Sequence, residues 1–264
     1  MSMSLTVSTV AGDGLEAVGR HPARQAFERA GGVGPVFVDE RIPSGRGLGF
    51  SGAARVGAVA LGLAQSHSVA VSELDDFIAA NRDRIYSISC ELEGHGDNVG
   101  ASVHGGLVVA TAERAVSFAV AADVRVVVWV PTHTTSTDKS RAVLPADVSR
   151  EDAVVNIASS ARLVGALVSG RLDELSGSTV DRIHQSVRFA ASPAGAEVLR
   201  AFDAHGAECS WLSGSGPTVA ALVRSENADR LVAAMTTFVT SADMGGRVIA
   251  LDIDRVGVRA TRED

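Results

Sequence analysis

Lysine is almost missing from this chain: of 24 basic residues, only Lys139 is a lysine. Chemistry that needs a cationic clamp on an anion must therefore use arginine, backbone amides, a metal or that one lysine. Cysteine is nearly as scarce. Cys90 and Cys209 are the only two and neither sits in a CxxC pair, so two buried free thiols are expected rather than a disulfide framework. No uninterrupted apolar run reaches the ~18 residues of a membrane span, and no charged-then-apolar leader opens the chain. A cytoplasmic protein without a membrane partner is the expectation. Repeats, low-complexity linkers and long charge runs are absent too. The formal charge of −7 is spread along the chain, which argues against a nucleic-acid partner.

What is present is enough for one large domain or two modest ones: 264 residues, 46 % hydrophobic and 21 % charged. Residues 5–10 read as a strand, 21–30 as a short helix ending at Gly31-Gly32, and 35–41 as a strand leading into Pro43. From Ser51 to about Gln65 the pattern is helical. Ala53, Ala54, Val56, Ala58, Val59, Ala60, Leu61 and Leu63 put small or apolar residues on nearly every face, as in a helix packed closely on its neighbours. Ser72 with Asp75 resembles a capping box opening a helix that runs to Gly94. Strands rich in β-branched residues are expected at 106–111, 116–121 and 124–130. Beyond a polar stretch at 131–148, Ser149 with Asp152 caps a further helix, in which Val154, Val155, Ala158, Ala161, Leu163 (or Val164) and Leu167 form a buried stripe. Helices at 172–186 and 194–205, a strand–turn–strand from Gly206 to Val223, a helix at 226–240 and strands at 246–252 and 255–259 complete a mixed α+β order. Trp129 and Trp211 read as core.

Three stretches carry chemistry. "RIPSGRGLGFSGAARVG" (41–57) sets Gly45, Gly47, Gly49 and Gly52 ahead of a helix, where several N–H groups can turn toward one anion with the helix dipole behind them. It matches neither GxxxxGK[ST] nor GxGxxG, and a plain strand-to-helix turn would read the same way. "LEGHGDNVG" (92–100) groups Glu93, His95, Asp97 and Asn98. Such side chains can hold a hard cation or hydrogen-bond a substrate's hydroxyl and amine, or simply form a polar helix end capped by Gly94. "SGSGPT" (213–218) can approach a ligand closely or merely join two strands. His133, His184 and His205 show no metal-ligand spacing.

In the order PxxxGLGxSxA, EGHxDN, SGSGPT, these stretches resemble the GHMP kinase superfamily. "ELEGHGDNVGASVHGGLVVA", "STDKSRAVLP" and "LSGSGPTVAAL" look most like its homoserine kinases, and the resemblance runs from about residue 35 to about residue 225. It implies a two-domain α+β fold, with a ribosomal protein S5 domain 2-like N-terminal domain over 1–145 and a ferredoxin-like C-terminal domain over 146–264. It also implies ATP- and Mg²⁺-dependent phosphorylation of the side-chain hydroxyl of L-homoserine, a small-molecule substrate on the way to threonine. By the same resemblance Pro43, Gly45, Arg46, Gly47, Leu48, Gly49, Ser51, Gly52 and Ala53 wrap the ATP phosphates, and Gly214, Ser215 and Gly216 close the site. Glu93 with Ser51 lies on the Mg²⁺ side, and Asp97 and Asn98 meet the acceptor. Arg141, four residues after Thr137, lies with Arg188 against the acceptor carboxylate and the moving phosphate. Asp97, Thr137 and Arg141 are thus the catalytic candidates. Lys139 is expected to be exposed and inessential, and His95 to shape its loop rather than act as a base.

Two departures stand out. Phe50 replaces the first serine, and Gly52 the alanine, of the usual GLGSSA, so a ring must fit beside the phosphates or point into the core. The element PAxxANLGPGFD, which opens homoserine kinases, has no counterpart in this sequence: either the start codon has been placed too late, or the element is lost. The N-terminal sheet would then show an unpaired edge, which suits a homodimer. Two other outcomes stay open: a GHMP kinase with another acceptor, and a degenerate relative that binds nucleotide or a partner without catalysis.

Overall fold

The small-residue pattern after Ser51 becomes a 17-residue helix, and the first of two compact units is built around it. The structure, a computed structural model, describes residues 3, 5–8, 14–135, 140 and 142–261. The first unit is formed by Met3–Pro43, Gly49–Ala119 and Asp254–Asp264, and the second by Ser44–Leu48 and Val120–Ile253.

In the first unit, β1 (Leu5–Ser8), β2 (Leu15–Glu16) and β3 (Phe37–Glu40) form an antiparallel sheet in the order β1-β3-β2, so β1 is a short edge strand. Helix α1 (Pro22–Arg29) opens on His21, whose ring nitrogen accepts the Ala23 N–H, with proline at the first position, where no N–H is needed. Helix α2 (Phe50–Ser66) is buried against α1, β1, α4 (Arg82–Glu93) and α5 (Asp97–His104). Three of its glycines make those approaches possible. A β-carbon on Gly62 would lie 2.7 Å from the Phe27 carbonyl oxygen in α1, one on Gly57 2.8 Å from Val7 in β1, and one on Gly52 3.0 Å from Asn98 in α5. Spaced five apart, they turn by about 140° each time, so each serves a different neighbour. Phe27, Val36, Leu63, Ile85 and Val99 fill the core between these elements.

The helix expected from Ser72 to Gly94 is instead a one-turn 3₁₀ segment (Val71–Glu73), α3 (Leu74–Ala80) and α4, and no side-chain cap forms at Ser72. The break falls at Asn81, whose amide turns back to donate to the Phe77 carbonyl at 2.8 Å. Gly94 ends α4 in the left-handed conformation, as expected. Helix α5 follows at once and was not anticipated; after it β4 (Leu107–Ala110) and β5 (Ala115–Phe118) form a hairpin.

The second unit holds a four-stranded antiparallel sheet of β6 (Val124–Val130), β7 (Cys209–Leu212), β8 (Val219–Arg224) and β9 (Arg247–Leu251), in the order β7-β8-β6-β9. Helices α8 (Pro193–Ala204) and α9 (Ala228–Ser241) cover it around Trp129, Phe202, Leu231 and Met235. One helix before β7 and one before β9 in this strand order give the ferredoxin-like arrangement. The boundary expected at 145/146 falls inside this unit, whose central strand β6 precedes it. Trp129 is core and donates to the Gly245 carbonyl, whereas Trp211 is only half-buried. Of the helix expected over 172–186 only a turn at Leu172–Glu174 and the first residues of α7 (Gln185–Ala190) form, and no strand forms at 255–259.

Helix α6 (Arg150–Ser169) is capped by Ser149, whose Oγ accepts the Asp152 N–H at 3.0 Å, as read from the sequence. Its stripe is not. The buried residues are Ser159, Ala166 and Leu167, while Val154, Ala158 and Ala161 are exposed. By length and composition α6 could cross a membrane, although Asp152 and Arg162 interrupt its apolar run. Cys90 and Cys209 are free and buried, and burial pushes the Cys209 thiol up to about 11.

Candidate active site

The glycine loop is divided between the units: Ser44–Leu48 belongs to the second, and Gly49 onward to the first. Gly45, Gly47 and Gly49 all have positive φ, from 66° to 77°, where a side chain would strain the backbone. Within the second unit, Gly47 lies so close to the other small-residue loop that a β-carbon would come 2.3 Å from the Ser213 carbonyl oxygen. Ser213 Oγ donates to the Gly47 carbonyl at 2.8 Å, and the Thr218 N–H to the Arg46 carbonyl at 3.3 Å. Gly45–Leu48 and Gly214–Gly216, far apart in sequence, are thus neighbours. Arg46 Nη1 is buried with no acceptor among the described residues. A buried guanidinium N–H in that state is costly, and an anionic oxygen is the partner it suits.

Arg188 on α7 belongs to the same neighbourhood, donating to the Gly214 carbonyl at 3.0 Å and to the Ser140 carbonyl at 3.4 Å. Ser140 Oγ in turn donates to the Ser215 carbonyl. Thr137, Lys139 and Arg141, which flank Ser140, lie outside the described residues. What holds Arg188 in place is visible. Asp181 Oδ1 accepts the N–H groups of Ile183, His184 and Gln185, and the Gln185 side chain accepts the Leu212 N–H of β7 while donating to Thr179. Burial alone would raise the Asp181 carboxyl, but the N–H groups and His184 outweigh it and hold it below its ordinary value. His184 moves down for the first reason, burial, although Asp181 pulls the other way.

In the first unit, α2 begins at Gly49 with no side-chain cap, so its first-turn amides carry the partial positive charge of an uncapped helix end. Ser51 Oγ donates to Glu93 Oε2 at 2.9 Å, so a hydroxyl from α2 and a carboxylate from α4 share one spot. The Glu93 side chain is only 8 % exposed. Oxygen donors of this kind suit a hard cation such as Mg²⁺. Among the described residues no group of three or more His, Cys, Asp or Glu could hold a metal ion. A cation at Glu93 would therefore draw its other ligands from phosphate and water. Arg55, one turn after Ser51 and 16 % exposed, bonds both the Ser51 hydroxyl and Glu93 Oε2. Sequence reasoning passed over this arginine. Its signal was a lone cation on a small-residue helix, four positions after the loop serine.

Asp97 opens α5 with its side chain 70 % exposed, and its Oδ1 takes the His95 ring nitrogen at 2.5 Å and the Asn98 N–H at 2.7 Å. His95 thereby orients Asp97, in keeping with a loop-shaping part. Asn98 sits where β-carbons on Gly49 and Gly52 would reach it, so Gly52, the departure from the usual alanine, has a packing reason. The Phe50 ring meets the edge of His21, with centroids 6.0 Å apart, and so packs on the start of α1.

Residues 17–106 match the model of the GHMP kinases N terminal domain, and residues 159–240 that of the GHMP kinases C terminal. Homoserine kinase of Desulfitobacterium hafniense is 36 % identical over 227 residues, covering 83 % of this chain and 72 % of that protein. The chain belongs to the GHMP kinase family. A second relative of this GHMP kinase, homoserine kinase of Deinococcus radiodurans, is 34 % identical over 240 residues, covering 88 % of this chain and 75 % of that one. Among solved structures, homoserine kinase from Cytophaga hutchinsonii superposes with a TM-score of 0.76 at 23 % identity, over 96 % of this chain and 86 % of that one; at that identity the likeness speaks for the fold.

Proposed function

We propose that this GHMP kinase transfers the γ-phosphoryl group of ATP to the side-chain hydroxyl of L-homoserine, in the cytoplasm, as a step toward threonine. The observation that carries this reading is the 36 % identity to a homoserine kinase along 83 % of the chain. ATP supplies the phosphoryl group, and Mg²⁺ offsets the charge on its phosphates when bound. The chain's own part is positioning and charge placement. Pro43, Gly45, Gly47, Leu48, Gly49, Gly52 and Ala53 present loop and helix amides to the phosphates, with Arg46 offering its orphaned N–H and Gly214, Ser215 and Gly216 completing the cradle. Glu93 and Ser51 would hold the metal. Asp97, with Asn98 beside it, meets the ammonium and hydroxyl end of the acceptor. Arg188 and Arg141 face its carboxylate and the moving phosphate, with Thr137 in the same catalytic segment.

Phe50 packs against His21, which supports a loop still able to work on ATP. The decisive experiment is a coupled ADP-release assay with L-homoserine, L-threonine, mevalonate and shikimate. Turnover confined to homoserine is expected. Turnover with a different acceptor, or none despite calorimetric ATP binding, would overturn the proposal.

A further inference from the structure

His184 stands at the start of α7, one turn before Arg188, a spacing that makes two side chains neighbours on a helix surface. Their contact is specific: Arg188 Nη1 meets His184 Nδ1 at 3.0 Å. A guanidinium nitrogen can only donate, so Nδ1 must be the bare nitrogen of a neutral ring, and the ring proton sits on Nε2. Nε2 lies 3.3 Å from Asp181 Oδ2, and a carboxylate is the neighbour that favours a proton there. We infer that His184 is a positioning residue: its neutral imidazole, turned by Asp181, holds the Arg188 guanidinium in the orientation that receives the acceptor's carboxylate. The inference rests on the proposed reading of Arg188 as an arginine facing that carboxylate.

Both ends of this chain of contacts are fixed. Asp181 Oδ1 accepts three backbone N–H groups, and Oδ2 accepts from the Asn156 amide of α6 at 2.9 Å. At the other end Arg188 Nη1 also donates to the Gly214 carbonyl, and Nε to the Ser140 carbonyl. Two carbonyls and an imidazole nitrogen, all uncharged, thus set the plane of the guanidinium. Bidentate recognition of a carboxylate depends on that plane, so an imidazole that helps to fix it contributes to acceptor affinity. The arrangement holds only while His184 is neutral. A proton on Nδ1 would turn N–H toward N–H and set a second cation beside Arg188. Burial moves His184 below its ordinary value, against the pull of Asp181 and with the help of Arg188, so the ring stays neutral at physiological pH. Among the described residues, Asp181 and Arg188 are the charged groups that face it. Asn156 of α6 is uncharged, Glu151 and Asp152 pair with Arg182, and residues 212–218 include no titratable side chain.

Nuclear magnetic resonance of the full-length chain with ¹⁵N-labelled histidine tests the ring directly, the His184 signals being those that His184→Asn removes. At neutral pH they should report a bare Nδ1 and a protonated Nε2. The opposite tautomer, or a charged ring, would overturn the inference. Kinetics then tests the consequence. Phenylalanine keeps a ring without an acceptor, whereas asparagine offers an oxygen near the Nδ1 position and does not titrate. His184→Phe is expected to raise KM for L-homoserine about 10-fold while leaving KM for ATP nearly unchanged, and His184→Asn to recover most of that loss. In the wild type, kcat/KM for homoserine should fall on acidification through an ionisation below 6.5 that His184→Asn lacks. The titration of ATP's own phosphate is common to both proteins. Equal falls in kcat for both variants with KM unmoved, or one acid limb shared by wild type and His184→Asn, would overturn the inference. A wild type that phosphorylates no homoserine would count against the proposed function alone, and the labelled ring would still decide whether Asp181 and Arg188 set the His184 tautomer.

Discussion

Helices α2 and α6 are the two longest in the chain and are built from much the same residues, yet their surroundings are opposite. Nine of the 17 residues of α2 are buried, against three of the 20 in α6. Apolar content does not decide which becomes core. The spacing of glycines does much of it: in α2, Gly52, Gly57 and Gly62 admit α5, β1 and α1 at distances no side chain would permit, whereas a β-carbon on Gly165 of α6 meets nothing within 4 Å among the described residues. Where neighbours can approach from several sides, alanine and valine are core. Where they approach from one, the same residues are left as surface.

The sharpest way to break this contrast is to fill one of the α2 contacts. In Gly62→Val the new atoms meet the Phe27 carbonyl oxygen and the Ala30 side chain, and the first of these is backbone that cannot swing aside. A loss of about 3 kcal/mol or more is expected, read from the urea midpoint. Ala158→Val, on the exposed side of α6, should stay within about 0.5 kcal/mol.

A charge change on α2 should come next. Arg55→Leu strands Glu93 as a nearly buried carboxylate, with the Ser51 hydroxyl and, at 3.7 Å, the His95 ring beside it. Breaking a buried pair on one side typically costs ~3 kcal/mol, less where solvent still reaches it. Because a divalent cation could neutralise the same carboxylate, MgCl₂ should restore part of the lost melting temperature in Arg55→Leu and change that of the wild type little. Equal effects of MgCl₂ on both would separate Arg55 from any metal function.

The inner face of α6 carries a smaller, pH-dependent effect, since Asn156 holds Asp181 in place. The folded-state values of Asp181 and His184 both lie below their ordinary ones, 3.8 and 6.5. The unfolded chain therefore takes up protons first as pH falls, so stability is present at neutral pH and is lost on acidification. His184 contributes that loss below 6.5 and Asp181 below 3.8. Asp181→Asn, which keeps the shape but weakens an acceptor serving three N–H groups, should cost about 1 kcal/mol at neutral pH. It should also flatten the steepest acid part of the profile, as measured by urea midpoints across the range. A profile unchanged in shape would remove Asp181 from this account.

The parts of the fold that were legible are those written in local chemistry. The glycine loop, the Gly94 and Ser149 caps and nearly all the strands depend on residue types whose preferences act within a few positions. The misreadings share another cause. Whether α6 turns Val154 or Leu167 inward depends on what lies opposite, and periodicity carries no record of that. Asn81 divides one expected helix into α3 and α4 by bonding back to Phe77, and Asp97 begins α5 where a polar tail was expected; both are side-chain choices that a helical pattern does not encode. At the site, motif order drew out Glu93, Asp97 and Arg188. Arg55 stayed hidden because its partner Glu93 is 38 residues away in sequence and meets it only after α2 packs on α4.

The smallest change sharpens the comparison from the other side. Gly165 lies within α6 with ordinary helical φ and open space around its missing β-carbon, so nothing in the fold requires glycine there. Replacing a helix-interior glycine by alanine removes backbone freedom from the unfolded chain and typically gains about 0.5–1 kcal/mol. Gly165→Ala should therefore raise the urea midpoint slightly, while Gly57→Ala, with Val7 at 2.8 Å from the new carbon, should lower it. If both move the same way, helix propensity rather than neighbour contact sets the worth of glycine in these two helices. Opposite signs would place the difference between α2 and α6 in their neighbours, not in the residues they are made of.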